Sequence, residues 1–273
     1  MIRYEMIVDE KIGFKDFLIK KFSFSFFGFL RETKASIYCN GKLIRINDTV
    51  YPNDNVVIEY EPIKQIGNLC DEPIKILYED DDCIVIDKDV GRSSVPSHTH
   101  QYDTVYNCLL KYFQNSSSTI HFISRLDKDT SGVLLVAKNQ ISACLFNKCS
   151  NEHIKEYICD TYNKMPFDNG IIEEPIRRNV DNKRWVFVDG HYAKTSYKLI
   201  DKVNDFYRYS VRIYTGRTHQ IRVHFAYNNC PLVNDILYGS NQIDGPMHLH
   251  AHYLKFYHPI KKEWIEIHSQ CPF

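Results

Sequence analysis

Apolar residues at Phe14, Phe17, Leu18 and Phe22 recur at intervals of three and four, which predicts a helix within residues 11–22. Beyond it the period shortens. Residues 35–39 read as a strand, Asn40-Gly41 as a hairpin turn and residues 43–46 as the return strand. Pro52-Asn53-Asp54 marks another turn before the apolar run 56–58. Two helices followed by a small hairpin sheet fit residues 1–62. The stretch 61–73 mixes polarity and carries a proline near each end, so residues 63–73 are expected to form a linker.

From Ile74 onward strand patterns dominate. Residues 76–78 and 83–86 flank an acidic turn at 79–82, and residues 132–137 are a continuous apolar strand. Further strands are expected at 156–162, 195–200, 206–214, 249–256 and 264–268. Helices are expected at 103–113, where Val105, Leu109 and Phe113 share a face, from an Asn139 cap to about Cys149, and at 217–226. The expectation is an α+β chain: a mixed, largely antiparallel sheet core with flanking helices over 74–273, behind a small α/β module.

Composition narrows the class. The 273 residues are 44% apolar and 25% charged, which excludes collagen-like and wholly disordered chains. No apolar run approaches the ~18–20 residues of a membrane helix, and charges throughout residues 1–20 exclude a signal peptide. Nine cysteines without a C-x-x-C pair suggest neither a disulfide framework nor a zinc finger; reduced thiols in a cytoplasmic protein are expected. The 34 basic residues balance 34 acidic ones. Any nucleic-acid reading therefore rests on particular residues rather than on net charge.

Three segments could carry chemistry. Residues 121–132 (HFISRLDKDTSG) place Asp127 and Asp129 beside Arg125, Lys128, Thr130 and Ser131 just before the apolar strand. Such a cluster suits either a carboxylate presented to a cleft or an ordinary turn. Residues 214–224 (YTGRTHQIRVH) place Thr218, Ile221, Arg222 and Phe225 on one helical face, where a charged Arg222 needs a partner or the solvent. Residues 247–252 (MHLHAH) alternate His248, His250 and His252, a spacing compatible with a metal site but lacking a nearby carboxylate or thiol.

Taken together these segments resemble the RluA-type pseudouridine synthases, enzymes that isomerise uridine in RNA. Residues 76–88 (ILYEDDDCIVIDK) with Gly91 are similar to the family's opening strand pair and K-P-x-G turn, and 124–132 (SRLDKDTSG) to its R-L-D-x-x-T-S-G motif. Lys155-Glu-Tyr157, Pro175-Ile-Arg-Arg178, the A-x-T-x-Y of 193–197, GRTHQIRVH at 216–224, PLVNDILYG at 231–239 and LHAHYLKFYHP at 249–259 follow in the family's order. Asp89, Arg177, Asn234 and Cys159 depart from the usual Pro, Gly, Gly and Ala. More loosely, residues 36–41 and 46–57 resemble an S4-type RNA-binding module, with Asn53 where Gly is usual.

The resemblance implies a catalytic set of Asp127, Tyr157, Arg222 and Leu249. Asp127 acts at the sugar, as nucleophile at C1′ or as base at C2′; Arg222 is its counter-ion; Tyr157 stacks on the uracil; Leu249 is the apolar wall. Arg125 supports the distorted strand, and Arg178, Lys183, Arg184, Arg217 and His219 are candidate phosphate contacts. No cofactor or metal is implied. The partner is an RNA, ribosomal or transfer, with a flipped uridine, and the chain is expected to be a monomer that engages no membrane. The competing expectation is a non-catalytic RNA-binding or ribosome-assembly protein on the same fold.

Overall fold

A computed structural model of the chain describes residues 1–22, 26–97, 100–179, 183–239 and 245–273. The N-terminal part contains β1 (Ile2–Ile7), β2 (Ile12–Gly13), α1 (Phe14–Lys21), α2 (Phe26–Glu32), β3 (Ser36–Cys39), β4 (Lys42–Leu43), β5 (Thr49–Val50) and β6 (Asn55–Tyr60). The expected hairpin turn is present, with Asn40 and Gly41 both at positive φ. Its return strand is only Lys42–Leu43, and the sheet has four strands in the order β1-β6-β3-β4. The unexpected outer strand, β1, alternates exposed with more buried positions along IRYEMI, the signature of a strand with one wet face. Phe14, Phe17, Phe22 and Phe26 form the core beneath it. Ile141 of the later helix α4 belongs to the same core.

Residues 61–74 contain no helix or strand, yet they do not hang free. The Gln65 amide exchanges two hydrogen bonds with the Ile120 backbone, and Asn107 Nδ2 donates to Asn68 O. The expected linker is thus pinned along the larger unit.

That unit contains β7 (Lys75–Glu79), β8 (Cys83–Lys88), α3 (Val105–Tyr112), β9 (His121–Phe122), β10 (Ser131–Ala137), α4 (Gln140–Cys149) and β11 (Ile154–Thr161). There follow β12 (Asn169–Ile172), β13 (Ile176–Arg178), β14 (Arg184–Val186), β15 (Thr195–Val203), β16 (Phe206–Ile213), α5 (Gln220–Tyr227), β17 (Leu249–His258) and β18 (Glu263–His268). Ten strands form one sheet, β12-β15-β16-β11-β17-β10-β8-β7, with β18 on β17 and β9 on β10. Every pairing is antiparallel except β10 with β17.

Strand β10 is buried on both faces, which explains its unbroken apolar sequence. Leu134 and Val136 face one core with α3 and α5; Val133, Leu135 and Ala137 face the other with α4. The α5-side core also contains Tyr157, Leu249, Leu126 and Ile221. The alternation along β11 and β17 therefore delivers Tyr157 and Leu249 to this one core.

Candidate active site

Asp127 sits in the segment between β9 and β10, and this segment is tied from several sides. Ser94 Oγ accepts from Leu126 N at 3.2 Å and donates to Leu126 O at 2.8 Å. Thr130 N donates back to Asp127 O. Lys88, 2% exposed, donates to three backbone carbonyls, those of Asp89, Arg92 and Lys128. Burial pulls the Lys88 ammonium below its usual range, against which Asp129 and Asp127 hold its proton. The segment ends at Gly132, where φ is +110° and a Cβ would lie 2.2 Å from Ala251 O. Only glycine fits where β10 and β17 meet so closely.

The opposing wall is α5. The sequence expectation of a helix from 217 is corrected: α5 starts at Gln220, and Thr218 is an exposed loop residue rather than part of a helical face. His219 caps the helix with φ +58°, a left-handed conformation uncommon for a non-glycine residue. Gln220 locks the loop before it. Its Oε1 accepts from Arg217 N and Thr215 Oγ1, and its Nε2 donates to Lys194 O and Thr195 Oγ1.

Arg222 lies 3.9 Å from Asp127 Oδ2, but Asp127 is not its principal partner. Nε and Nη2 of Arg222 each donate to Asp235 at 2.8 Å, a bidentate pair in which both side chains are buried. The guanidinium also lies 5.2 Å from the Tyr238 ring centroid. The partner that a charged Arg222 needs on this helical face is thus chiefly Asp235, with Asp127 beside it at 3.9 Å. Tyr238 Oη accepts from Arg184 N at 3.1 Å and lies 2.8 Å from His219 Nδ1. The other ring nitrogen of His219, Nε2, faces Asp127 Oδ2 at 3.9 Å. Burial lowers the His219 pKa, partly opposed by the Asp127 charge.

Asp127, Tyr157, Arg222 and Leu249 line one cavity of about 640 Å³, with Lys155, Ile221 and His219 also on its wall. Burial and the Asp127 charge push the Tyr157 phenol well above its usual range, so at neutral pH it is a proton-bearing hydroxyl. Arg125 and Arg217 are exposed residues at the cavity edge, Arg217 donating to Tyr192 O. His219 lines the cavity as well. Arg178, Lys183 and Arg184 do not line it; Arg178 pairs in register with Arg184 on the β13–β14 ribbon. That ribbon touches the site through Trp185, whose ring meets the Tyr238 ring edge-on at 5.8 Å.

The three alternating histidines do not converge. His248 Nδ1 meets Asp160, His250 Nδ1 meets Ser131 Oγ, and His252 Nε2 is buried without a hydrogen-bond partner. Among the described residues one group has the proximity of metal ligands, Asp80, Cys83 and His258. There His258 Nδ1 accepts from Lys261 N, and the Lys261 ammonium lies 2.8 Å from Asp80 Oδ2, occupying the place of a cation. Sequence reasoning missed Asp235, Tyr238, Lys88 and Ser94 as site-builders. Asp235 and Tyr238 do stand in the PLVNDILYG run, and Lys88 in the turn motif.

The cavity over one face of the mixed sheet thus brings together a carboxylate, a guanidinium fixed by a second carboxylate, and a phenol, the features of an enzyme active site. The sequence profile described as RNA pseudouridylate synthase matches residues 82–227, more than half of the chain. The uncharacterized RNA pseudouridine synthase YjbO of Bacillus subtilis (strain 168) is 31% identical over 247 residues, covering 87% of each chain. The ribosomal large subunit pseudouridine synthase D of Borreliella burgdorferi is 35% identical over 238 residues, covering 80% of this chain and 71% of its own. The human RNA pseudouridylate synthase domain containing 1 superposes with a TM-score of 0.62 at 24% identity, over 74% of this chain and 85% of its own, and shares the fold. The chain belongs to the RNA pseudouridylate synthase family: it is an isomerase, and its substrate is RNA.

Proposed function

We propose that this chain isomerises a uridine flipped out of a structured RNA, ribosomal RNA by preference, with Asp127 as the carboxylate acting at the sugar. The observation that carries the proposal is the convergence of Asp127, Tyr157, Arg222 and Leu249 on one cavity from four separate elements of the chain. Breaking the N1–C1′ bond and rejoining through C5 needs a group at the sugar, a surface that holds the detached uracil, and a route for the C5 proton. Asp127 supplies the first, as nucleophile at C1′ or as base at C2′. Tyr157 and Leu249 flank the base; base–aromatic stacking contributes about 1–3 kcal/mol.

Arg222 serves Asp127 indirectly. Asp235 already holds two of its donors, and Arg222 meets Asp127 only in a long ion pair of 3.9 Å. A positive charge thus stands beside the carboxylate without hydrogen-bonding to it, which leaves its oxygens free to react. The Tyr157 hydroxyl, protonated at neutral pH, is the proton-bearing group beside the base. A uridine inside a duplex cannot reach this cavity, so flipping costs a few kcal/mol of unstacking, offset by the stacking above and by backbone contacts at Arg125 and Arg217.

The relative from Borreliella burgdorferi that bears a large-subunit ribosomal name supports the ribosomal preference, and the four-stranded N-terminal unit is read as a further RNA contact of S4-like type. Action in the cytoplasm, as a monomer, is part of this proposal. Tritium release from RNA labelled at uridine C5 tests the proposal: wild type is expected to release the label, and Asp127→Asn to release none above background.

A further inference from the structure

His219 lines the main cavity but takes no part in the steps proposed above. It stands at the last position before α5, with φ +58° and ψ +20°. A side chain in this left-handed region persists only where its surroundings hold it. The neighbouring Gln220 amide does so, through its four hydrogen bonds to Arg217 N, Thr215 Oγ1, Lys194 O and Thr195 Oγ1. The turn aims the imidazole into the cavity, where the side chain is 22% exposed. Nδ1 meets Tyr238 Oη at 2.8 Å. Nε2 makes no hydrogen bond among the described residues and faces Asp127 Oδ2 at 3.9 Å.

That gap is too long for a direct hydrogen bond and short enough for one oxygen to bridge. Hydrogen bonds of about 2.8 Å from the two sides meet at such an oxygen at roughly a right angle. The chemistry of the gap selects the oxygen. A phosphate there would set its charge against the Asp127 carboxylate, and like charges at this range repel. A carbonyl oxygen only accepts, and so does the carboxylate. A hydroxyl accepts from one side and donates to the other. A uridine inside an RNA chain has a single free hydroxyl, on C2′, because O3′ and O5′ carry the phosphodiesters. C2′ is the carbon from which Asp127 would take a proton, and it is bonded to C1′, where Asp127 would attack.

We infer that His219 binds the 2′-hydroxyl of the target nucleotide and so selects ribose over deoxyribose. The inference rests on the reading of Asp127 as the group that acts at the sugar. Nε2–H donates to the hydroxyl oxygen, and the hydroxyl donates to Asp127 Oδ2. Tyr238 completes the arrangement: its oxygen accepts from Arg184 N, and its hydrogen goes to Nδ1. The 2′-hydroxyl is the group by which a protein tells RNA from DNA at one position. His219 touches the sugar but not the bonds that break.

The test compares kcat/KM for tritium release from two short RNAs. One carries the mapped target uridine, labelled at C5; the other carries labelled 2′-deoxyuridine at that position. The full chain is assayed as wild type, His219→Asn and His219→Gln. Asn tolerates the left-handed conformation but is too short to reach the gap, whereas Gln restores a donor near the place of Nε2. The intrinsic effect of the missing hydroxyl on the glycosidic bond is the same for each protein and cancels when ribose-to-deoxyribose ratios are compared. A misfolded fraction lowers both rates alike and leaves the ratio untouched. The ratio is expected to be about tenfold smaller for His219→Asn than for wild type, the loss of one hydrogen bond in a charge-assisted pair. His219→Gln is expected to keep the ratio within about threefold of wild type.

Equal ratios in wild type and His219→Asn overturn the inference. If both rates fall together, His219 serves Asp127 and not the sugar. If the ratios are equal and the slope of log Kd against log salt for RNA binding drops by about 0.7, His219 meets a phosphate instead. The isomerase reading fails separately. A wild type that releases no tritium from any unmodified RNA removes that reading and the inference with it, whereas a releasing wild type with equal ratios removes only the role of His219.

Discussion

Asp235 makes no contact with the proposed reacting atoms, yet its loss is expected to damage both stability and rate. In Asp235→Asn the shape is kept and the charge removed, leaving Arg222 buried without its bidentate partner. Breaking a buried pair from one side costs about 3–5 kcal/mol. Asp127 offers partial relief, since its Oδ2 lies 3.9 Å from Arg222 Nη1. Two unit charges near that distance attract by about 1 kcal/mol in water and about 4 kcal/mol at an effective dielectric of 20. The Asp127 side chain is 30% exposed, so screening favours the lower figure. The net loss is then about 2–4 kcal/mol, a fall of about 4–16 °C in Tm at about 2–4 °C per kcal/mol. Relief by Asp127 also draws Arg222 onto the carboxylate, and kcat should drop about tenfold to a hundredfold, equivalent to about 1.4–2.7 kcal/mol. Urea unfolding and single-turnover tritium release measure the two effects. The double variant Arg222→Met with Asp235→Leu should recover stability relative to Asp235→Asn, because no buried charge is left unpaired. A single variant within about 0.5 kcal/mol of wild type, or a double variant less stable than the single, would refute the assignment of Asp235 as the anchor of Arg222.

Other expectations follow from the same geometry. Gly132→Ala forces a Cβ to 2.2 Å from Ala251 O at φ +110°, and should cost about 3 kcal/mol or more by urea unfolding; a neutral result would mean the β10–β17 junction is loosely packed. Tyr157→Phe keeps the ring and removes the hydroxyl, so kcat should fall about a hundredfold or more with Tm unchanged, and an unaltered kcat would confine Tyr157 to stacking. Burial lowers His121 to about 4, below the ordinary value of 6.5. Between those values the unfolded chain binds more protons than the folded one, so stability is lost as pH falls through that window. His121→Gln should lessen that loss in melts between pH 7 and 4.5, and an identical pH slope would contradict it.

Much of this architecture was legible because its causes are local. The unbroken apolar runs at 83–86 and 132–137 marked the central strands, the Asn139 side chain does accept from Ser142 N, and Asn40-Gly41 does turn the chain. The site motif at 124–132 was legible for the same reason, since its residues lie together in sequence. What stayed hidden depends on partners distant in the chain. The parallel pairing of β10 with β17 joins residues more than a hundred positions apart, and no local pattern specifies it. Strand β1 alternates as a strand should, but its role appears only once β6 lies beside it. The puzzle of a charged Arg222 among apolar neighbours was visible; its answer, Asp235, lay in a loop whose residues carry no periodicity. The left-handed turn at His219, which aims its ring at Asp127 and Tyr238, cannot be read from composition.

The most direct test of Asp127 as the reacting carboxylate is single-turnover tritium release from uridine-C5-labelled RNA by wild type and Asp127→Asn, with RNA binding measured on the same preparations. The account expects wild type to release label in step with pseudouridine formed, and the variant to bind the RNA with similar affinity while releasing none. Release by Asp127→Asn at a rate near wild type would contradict it.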